Sequence, residues 1–570
     1  MAPPKKPALA SRAIQLSIPY QLHRGFLCFL NLRSLLAFLV VLTCVIGGDL
    51  LLDAILQHTD LEAGLLRTLY PVPNFQELEI DFAPEVWLAL VGLSLGTLII
   101  VISIAAQSIP KIVELYMQDW VSLVYIWFVI LGSAQSIYIK FYRDTEILRA
   151  SSIILNLYVF LPAFITFSFP YIYYVLKGIQ PTVVIEKISR QNIKNIRRLT
   201  TPSNQALVGI ESYREAYQLK LLESLNQLDS MLHFVSFKEP KAQIIQYISL
   251  AIREFIPCKS RMGTDFFRVG DVIRADISFK TLIDQFPLLE RNHTFYEQKC
   301  FRILGNAYVY LLEESEFDLA SLCASEMSKV GLAALSIQAE KLLNLIVIRF
   351  NTMLRFALKH GVKNNEARNL YNLAFHYRTF IEALVRHGQV ASATQSFYYL
   401  RSYGNEIYAY GRTSPAMYFI VDVFAAEMKK ILIQVYYQHW PLSTQRHLLE
   451  EMLQVDSPPE VDVSASKPRH LNHGVRALQI GLALFYLKVE QLEFVERIIA
   501  DILEDLEILG EPAFRQAIAG ICDRIRNAQP TFWEDTDRGT ANLYYAPERD
   551  QLSRFCNLLE ARLTSGGSSA

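Results

Sequence analysis

The stretch SLLAFLVVLTCVIGGDLLLDAIL, Ser34 to Leu56, decides the class of this chain. It holds no Lys, Arg, His or Glu, and its two acidic residues, Asp49 and Asp53, come late, behind Gly47 and Gly48. A helix crossing the hydrocarbon core of a bilayer needs about 20 mostly apolar residues, because each adds about 1.5 Å and every backbone polar group must be satisfied within the helix. The stretch meets that length. A cleaved signal peptide is the competing reading, but the leader before it exceeds 30 residues and no small-x-small cleavage pattern cleanly follows it. It is therefore read as a retained span.

Working outward, three further stretches qualify: Val86 to Ala106, entered through Pro84; Val121 to Ile139; and Ile153 to Leu176, which carries Pro162 and Pro170. No Asp, Glu, Lys, Arg or His lies deep within any of them, which argues against a proton-coupled transport path. Gln135 and Asn156 are the polar residues suited to hydrogen-bonding between spans, and Gly92 with Gly96 forms a GxxxG pattern that permits close helix approach. These four are the expected packing residues of the membrane region.

Orientation follows from Lys and Arg in short flanks, which favour the cytoplasmic side. The N-terminal arm holds Lys5, Lys6, Arg12, Arg24 and Arg33, and the segment after the fourth span holds Lys177, Lys187, Arg190, Lys194, Arg197 and Arg198. Both ends are expected inside. The first outer loop agrees, with Asp60, Glu62, Glu77, Glu79 and Asp81 against Arg67; the second, with Lys140, Arg143 and Arg149, runs mildly against the rule.

The whole chain of 570 residues is too long for one core. Its 55 basic and 56 acidic residues give no net field to recruit nucleic acid. With 52% hydrophobic and 19% charged residues it is too polar to lie wholly in lipid, so a membrane part plus a soluble part is expected. The cysteines Cys28, Cys44, Cys258, Cys300, Cys323, Cys522 and Cys556 are scattered and read as reduced, buried thiols.

Between the second and third spans lies Gln107-Ser108-Ile109-Pro110, followed by an amphipathic stretch through Ile112, Leu115 and Tyr116 to Asp119. This resembles the Q-F-S-P-R hairpin, ending in an acidic residue, of a bacterial family of predicted four-span membrane proteins, domain of unknown function 2254. Ile179-Gln180-Pro181-Thr182-Val183-Val184-Ile185 resembles the segment leaving that family's fourth span. The resemblance covers about a third of the chain and implies a topology and a bacterial inner membrane, not a reaction. Ala334-Leu335-Ser336-Ile337-Gln338, nearest to the family's S-P-x-x-N-D-P signature, lacks its Asn-Asp-Pro.

The expected organisation is all-α: a cytoplasmic arm over 1–33, a four-span domain over 34–178, a basic juxtamembrane linker over 179–203, a cytoplasmic helical domain over 204–563 and a disordered tail over 564–570. Ile188 to Leu199 suits either a helix on an anionic membrane surface or a connecting helix, the second being preferred. Three segments look like tetratricopeptide-type helix pairs: Leu304 through Ala324, Tyr371 through Phe397, and Ala477 through Ile502. Their spacing is uneven, which points to an irregular solenoid. Leu342 to Leu358 is interrupted by Arg349, Asn351 and Arg355 and reads as a core helix, with Leu343, Ile346, Val347, Phe350 and Leu354 on one stripe.

No phosphate-binding glycine loop, H-E-x-x-H, G-x-S-x-G or paired-Cys motif occurs. No catalytic, cofactor or metal residue is expected, and His470 with His473 lacks further ligands. The distinctive polar cluster is Phe532-Trp533-Glu534-Asp535-Thr536-Asp537-Arg538-Gly539, followed by Tyr544 and Tyr545, read as a loop. Trp533, Asp535, Asp537 and Arg538 make it a candidate docking or cation-binding surface, against the plainer reading of a loop pinned by Trp533. The leading expectation is a non-enzymatic, membrane-anchored scaffold or sensor that contacts the lipid bilayer and binds a protein through its helical domain. The alternative is an oligomeric ion channel gated by that domain, with Asp49 and Asp53 as an acidic vestibule.

Overall fold

The computed structural model describes residues 32–58, 83–108, 119–144, 150–411, 414–457, 471–536 and 539–566. Residues 1–31, 59–82, 109–118, 145–149, 412–413, 458–470, 537–538 and 567–570 lie outside the described residues, among them the expected N-terminal arm, Ile109 to Gln118 of the stretch between the second and third spans, the acidic stretch from Asp60 to Asp81, and Asp537 and Arg538. The chain divides into two compact units, Met1–Val184 and Ile185–Ala570.

The first unit holds α1 (Leu32–His58), α2 (Ala83–Ser108), α3 (Trp120–Asp144) and a fourth helix in three parts: α4 (Ala150–Ile153), a π-helical segment (Ile154–Phe160) and α5 (Leu161–Gly178). Each of the four is long and apolar enough to cross a membrane, over Ser34–Ile55, Ala83–Val101, Trp120–Phe141 and Ser151–Gly178. α1 packs on α3 and α4, and α2 packs on α3 and α5. The core between them is aromatic: Trp87, Tyr125, Val129, Phe164 and Tyr171, with the Tyr125 and Tyr171 rings stacked at 3.8 Å. Leu93, Ile99 and Phe169 point outward and are 70%, 66% and 79% exposed, the apolar exterior a lipid-facing surface requires.

The π segment has a local cause. Pro162 cannot donate to the carbonyl four residues back, and the helix widens just before it, so that the Leu161 N–H reaches Asn156 O, five residues back. At the other end of the bundle Asp119 caps α3, accepting from Ser122 N at 3.1 Å and Ser122 Oγ at 3.0 Å, and it also accepts from Tyr174 OH at 3.0 Å.

The second unit begins within α6 (Pro181–Arg198), so the expected linker is a helix. Ile185, Ile188, Ile196 and Leu199 are buried in this unit, and buried Asn192 accepts from Tyr296 OH at 2.7 Å and donates to Leu221 O at 3.1 Å. Its apolar face is thereby used up, which favours the connecting-helix reading over one lying on lipid.

After α7 (Pro202–Leu207) come α8 (Glu211–Phe234) and α9 (Lys238–Lys259), then a segment of short helices that includes α10 (Asp271–Ala275) and α11 (Phe286–Asn292). Ten longer helices follow: α12 (Phe295–Glu313), α13 (Phe317–Ser336), α14 (Glu340–Asn364), α15 (Arg368–Arg386), α16 (Val390–Gly411), α17 (Pro415–Tyr437), α18 (Leu442–Leu453), α19 (His473–Lys488), α20 (Leu492–Leu509) and α21 (Glu511–Asn527). They stack in two rows. α8, α12, α14, α16, α18 and α20 pack successively in one row, and α9, α13, α15, α17, α19 and α21 in the other. The first-row helices from α12 onward start at Phe295, Glu340, Val390, Leu442 and Leu492, roughly 50 residues apart and not the 34 of a tetratricopeptide array.

The turns share one device. Ser315, Gln338, Asn365, Gly388, His439 and Glu490 each take a positive φ between consecutive helices. In each turn the next N–H bonds back across it, as Glu316 N does to Leu311 O at 2.8 Å, Gln389 N to Leu384 O at 3.0 Å and Gln491 N to Tyr486 O at 2.9 Å. This is the Schellman closure, which satisfies a helix's last carbonyls and lets the chain reverse at once. The stripe Leu343, Ile346, Val347, Phe350 and Leu354 is fully buried in α14, as expected.

Two expectations change. The polar cluster read as a loop is a hairpin, β1 (Thr531–Thr536) antiparallel to β2 (Gly539–Ala541), because Thr531, Phe532, Trp533 and Thr536 favour extended backbone. The tail is helical as far as Gly566, in α22 (Leu552–Gly566), since Leu552, Phe555 and Leu559 bury one face. Among the thiols, Cys258, Cys300, Cys323 and Cys522 are buried, whereas Cys44 is exposed on the outer face of α1, where lipid supplies the cover.

Candidate functional site

In the membrane unit the polar side chains converge on Asn156, which is fully buried on the π segment. Its Nδ2 donates to Gly132 O at 3.0 Å and Gln135 Oε1 at 3.3 Å, and its Oδ1 accepts from Trp87 Nε1 at 2.9 Å. One side chain thus ties α2, α3 and the fourth helix. In hydrocarbon an unpaired amide is costly, and this arrangement uses both ends of it. Gly132 makes room: a Cβ there would sit 2.6 Å from Trp87 Cη2.

Gln135 and Asn156 were legible as interhelical donors, but Trp87 and Gly132 carry no such signal. A lone Trp near a span end reads as an interfacial anchor, and a single glycine stands out less than a GxxxG pattern. Gly92 and Gly96 have open space where an added Cβ would stand, so neither supports a close helix contact among the described residues. Asp49 accepts from Ser152 Oγ at 2.9 Å through either carboxylate oxygen, a bond from α1 to α4. Asp53, one turn along, is half-buried.

In the second unit the unusual feature is a pair of buried charges on α17. Asp422 and Lys429 face α19 where it presents Gly474 and Gly481; an added Cβ would lie 2.0 Å from Asp422 Oδ2 and 2.7 Å from Lys429 Nζ, respectively. Two glycines seven residues apart, matching two charges seven apart, let the helices close on side chains that would otherwise hold them apart. Tyr544 OH donates to Asp422 Oδ2 at 2.7 Å. Asn472 caps α19, its Oδ1 accepting from Gly474 N at 3.1 Å and Val475 N at 3.3 Å. Burial pushes the Asp422 carboxyl up to about 6, against the bonds from Tyr544 and Asn472 and the charge of Arg524. Burial likewise lowers Lys429 to about 8, with Glu548 opposing and Lys430 adding to the fall. Tyr544 and Glu548 belong to the segment after the hairpin, so the chain's C-terminal part closes over this strip.

Of the candidate docking residues, Trp533 and Asp535 lie on β1, while Asp537 and Arg538 lie outside the described residues. Tyr544, which follows the hairpin, is bonded to Asp422. His473 opens α19 and is exposed, and His470 lies outside the described residues. No group of His, Cys, Asp or Glu suited to a metal occurs among the described residues. Nearby, Arg476 bonds Asp505 through Nε at 2.7 Å and Nη2 at 2.9 Å, Gln479 at 2.7 Å, and Asp501, tying α19 to α20.

Four candidate spans followed by a two-row helical stack define a multi-pass membrane protein with a large helical domain. No family model, curated protein or solved structure matches the chain.

Proposed function

We propose that this chain is a membrane-anchored scaffold or sensor whose helical domain lies in the cytoplasm and binds another protein. The observation that carries this reading is the set of aromatic side chains left outward on the stacked helices: Tyr398 at 45%, Tyr410 at 51%, Tyr437 at 57% and Phe419 at 38% exposure. Tyr398 lies beside Arg401, whose guanidinium sits 5.0 Å from its ring centre. Tyrosine and arginine are the residues that most often carry binding energy at protein interfaces. The tetratricopeptide-like pairing, the bacterial inner membrane and the kinship with the four-span family belong to the same proposal, supported by the turn-linked helix pairs, the basic flanks and the residues around Gln107 and Ile179.

Affinity capture of the full chain from mild detergent is expected to recover a stoichiometric protein partner, and Tyr398→Ala with Tyr437→Ala to lose it without shifting the melting midpoint. Recovery of no such partner in several detergents, or one indifferent to these tyrosines, overturns the reading. The channel alternative has less support, because Asp49 is engaged by Ser152 and Gln135 and Asn156 bond within the bundle. Its remaining support is the uncovered Gly92 and Gly96 face of α2, where a second copy would pack.

A further inference from the structure

Between α12 and α14 lies a groove of about 390 Å³, within the size range of small-molecule sites. α12 contributes Arg302, Gly305 and Tyr310, and α14 contributes Arg349, Met353 and Phe356. The two helices run parallel in the stack, so Arg302 and Arg349 stand at one end. Gly305, Met353 and Phe356 form an apolar middle, and Tyr310 closes the far end with His233, their rings 4.5 Å apart.

The charge at the arginine end is uncompensated. Arg302 Nη1 donates to Ser278 O at 2.5 Å and Thr281 Oγ1 at 3.1 Å, both neutral. The nearby carboxylate, Asp276, is taken by Lys299 at 2.8 Å. Arg349 Nε is buried without a hydrogen-bond partner, and no carboxylate pairs with either guanidinium among the described residues. Burial lowers the Arg349 pKa, and the charge of Arg302 lowers it further, the mark of two cations sharing one end of a cavity. The carboxylate lining the groove, Glu313, stands eleven residues along α12 from Arg302, roughly 16 Å by helical rise. A guanidinium pair without acids is the usual recognition element for carboxylate and phosphate groups.

We propose that this groove binds a small organic anion, a carboxylate or phosphate on an apolar body, with the anionic group on Arg302 and Arg349 and the body over Gly305, Met353 and Phe356. The site is independent of any protein partner and is tested without one.

The full chain in lipid nanodiscs, with empty nanodiscs as reference, is titrated calorimetrically with 2-naphthoate, 2-naphthyl phosphate and the uncharged 2-naphthamide. One anion or both are expected to bind once per chain, at least tenfold tighter than the amide, and the better anion identifies the group recognised. Arg349→Gln is expected to weaken binding at least tenfold, with Arg302→Gln as the second variant should the first fail to fold. Gly305→Leu, at a position where an added Cβ meets nothing within 4 Å, is expected to fill the groove and abolish binding while the melting midpoint holds or rises. Saturation by neither anion below millimolar concentration overturns the proposal, as does equal binding of the amide or binding that survives Gly305→Leu.

Discussion

At the residue scale, Asn156 carries the membrane unit. Replacing it with Leu leaves Trp87 Nε1 and Gln135 without their partner, and interhelical bonds in membranes contribute about 0.6 to 1.7 kcal/mol each. Asn156→Leu is therefore expected to lower stability by ~1–2 kcal/mol in a detergent unfolding titration. Gly132→Ala drives a methyl against Trp87 and is expected to cost ~1–3 kcal/mol, partly recovered by Trp87→Phe in the same chain. Additive losses in the double variant would separate the two positions and refute the contact.

Asp422 gives a pH signature. Its folded-state pKa of about 6 stands above the ordinary 3.8, so the unfolded chain gives up this proton first and stability falls as pH rises through that interval. The full penalty, about 3 kcal/mol, applies above pH ~6 and vanishes below pH ~4. Asp422→Asn, which still accepts from Tyr544, is expected to be the more stable protein at pH 7.5, with the two converging near pH 4 in urea unfolding. Lys429 acts in the opposite sense. Its pKa of about 8 stands below 10.5, so stability lost at neutral pH returns as pH rises from about 8 toward 10.5.

At the scale of elements, the positive-φ turns are where sequence and backbone disagree most visibly. Gly388 suits its conformation, but Gln338 holds a side chain where glycine would relieve strain. Gln338→Gly is expected to raise stability by ~1 kcal/mol, measured as a shift in the urea midpoint; a loss would mean that the side chain contributes something the turn does not reveal. These turns explain why helix existence was legible from the apolar stripe of α14 while the pairing period was not. Reversal by a residue in the left-handed region has no fixed amino-acid signature, and Ser315, Asn365, His439 and Glu490 share none. The hairpin was missed for a related reason: acids between Trp533 and Gly539 read as a loop, although the flanking Thr and aromatic residues favour strands. Gln135 and Asn156 were found because amides are rare in spans. The arginine groove was not, because Arg302 and Arg349 lie far apart in sequence and Arg349 alone reads as an interruption of an apolar helix.

At the scale of the whole molecule, the chain is built for two solvents. The first unit exposes Leu93, Ile99 and Phe169 as lipid-facing surface. The second buries its stripes in a stack closed at one end by α22 and the segment around Tyr544. In the proposed topology the four candidate spans bring the two flanks of the membrane unit to one side, and the Lys and Arg of those flanks are what make that side the cytoplasm in the proposal. The decisive experiment is labelling of intact cells with a membrane-impermeant maleimide, using single-cysteine variants Glu62→Cys, between the first two spans, and Glu490→Cys, in the helical stack. With four spans and cytoplasmic ends, Glu62→Cys is labelled from outside and Glu490→Cys only after permeabilisation. Equal labelling of both from outside, or protection of Glu62→Cys alone, would contradict that topology.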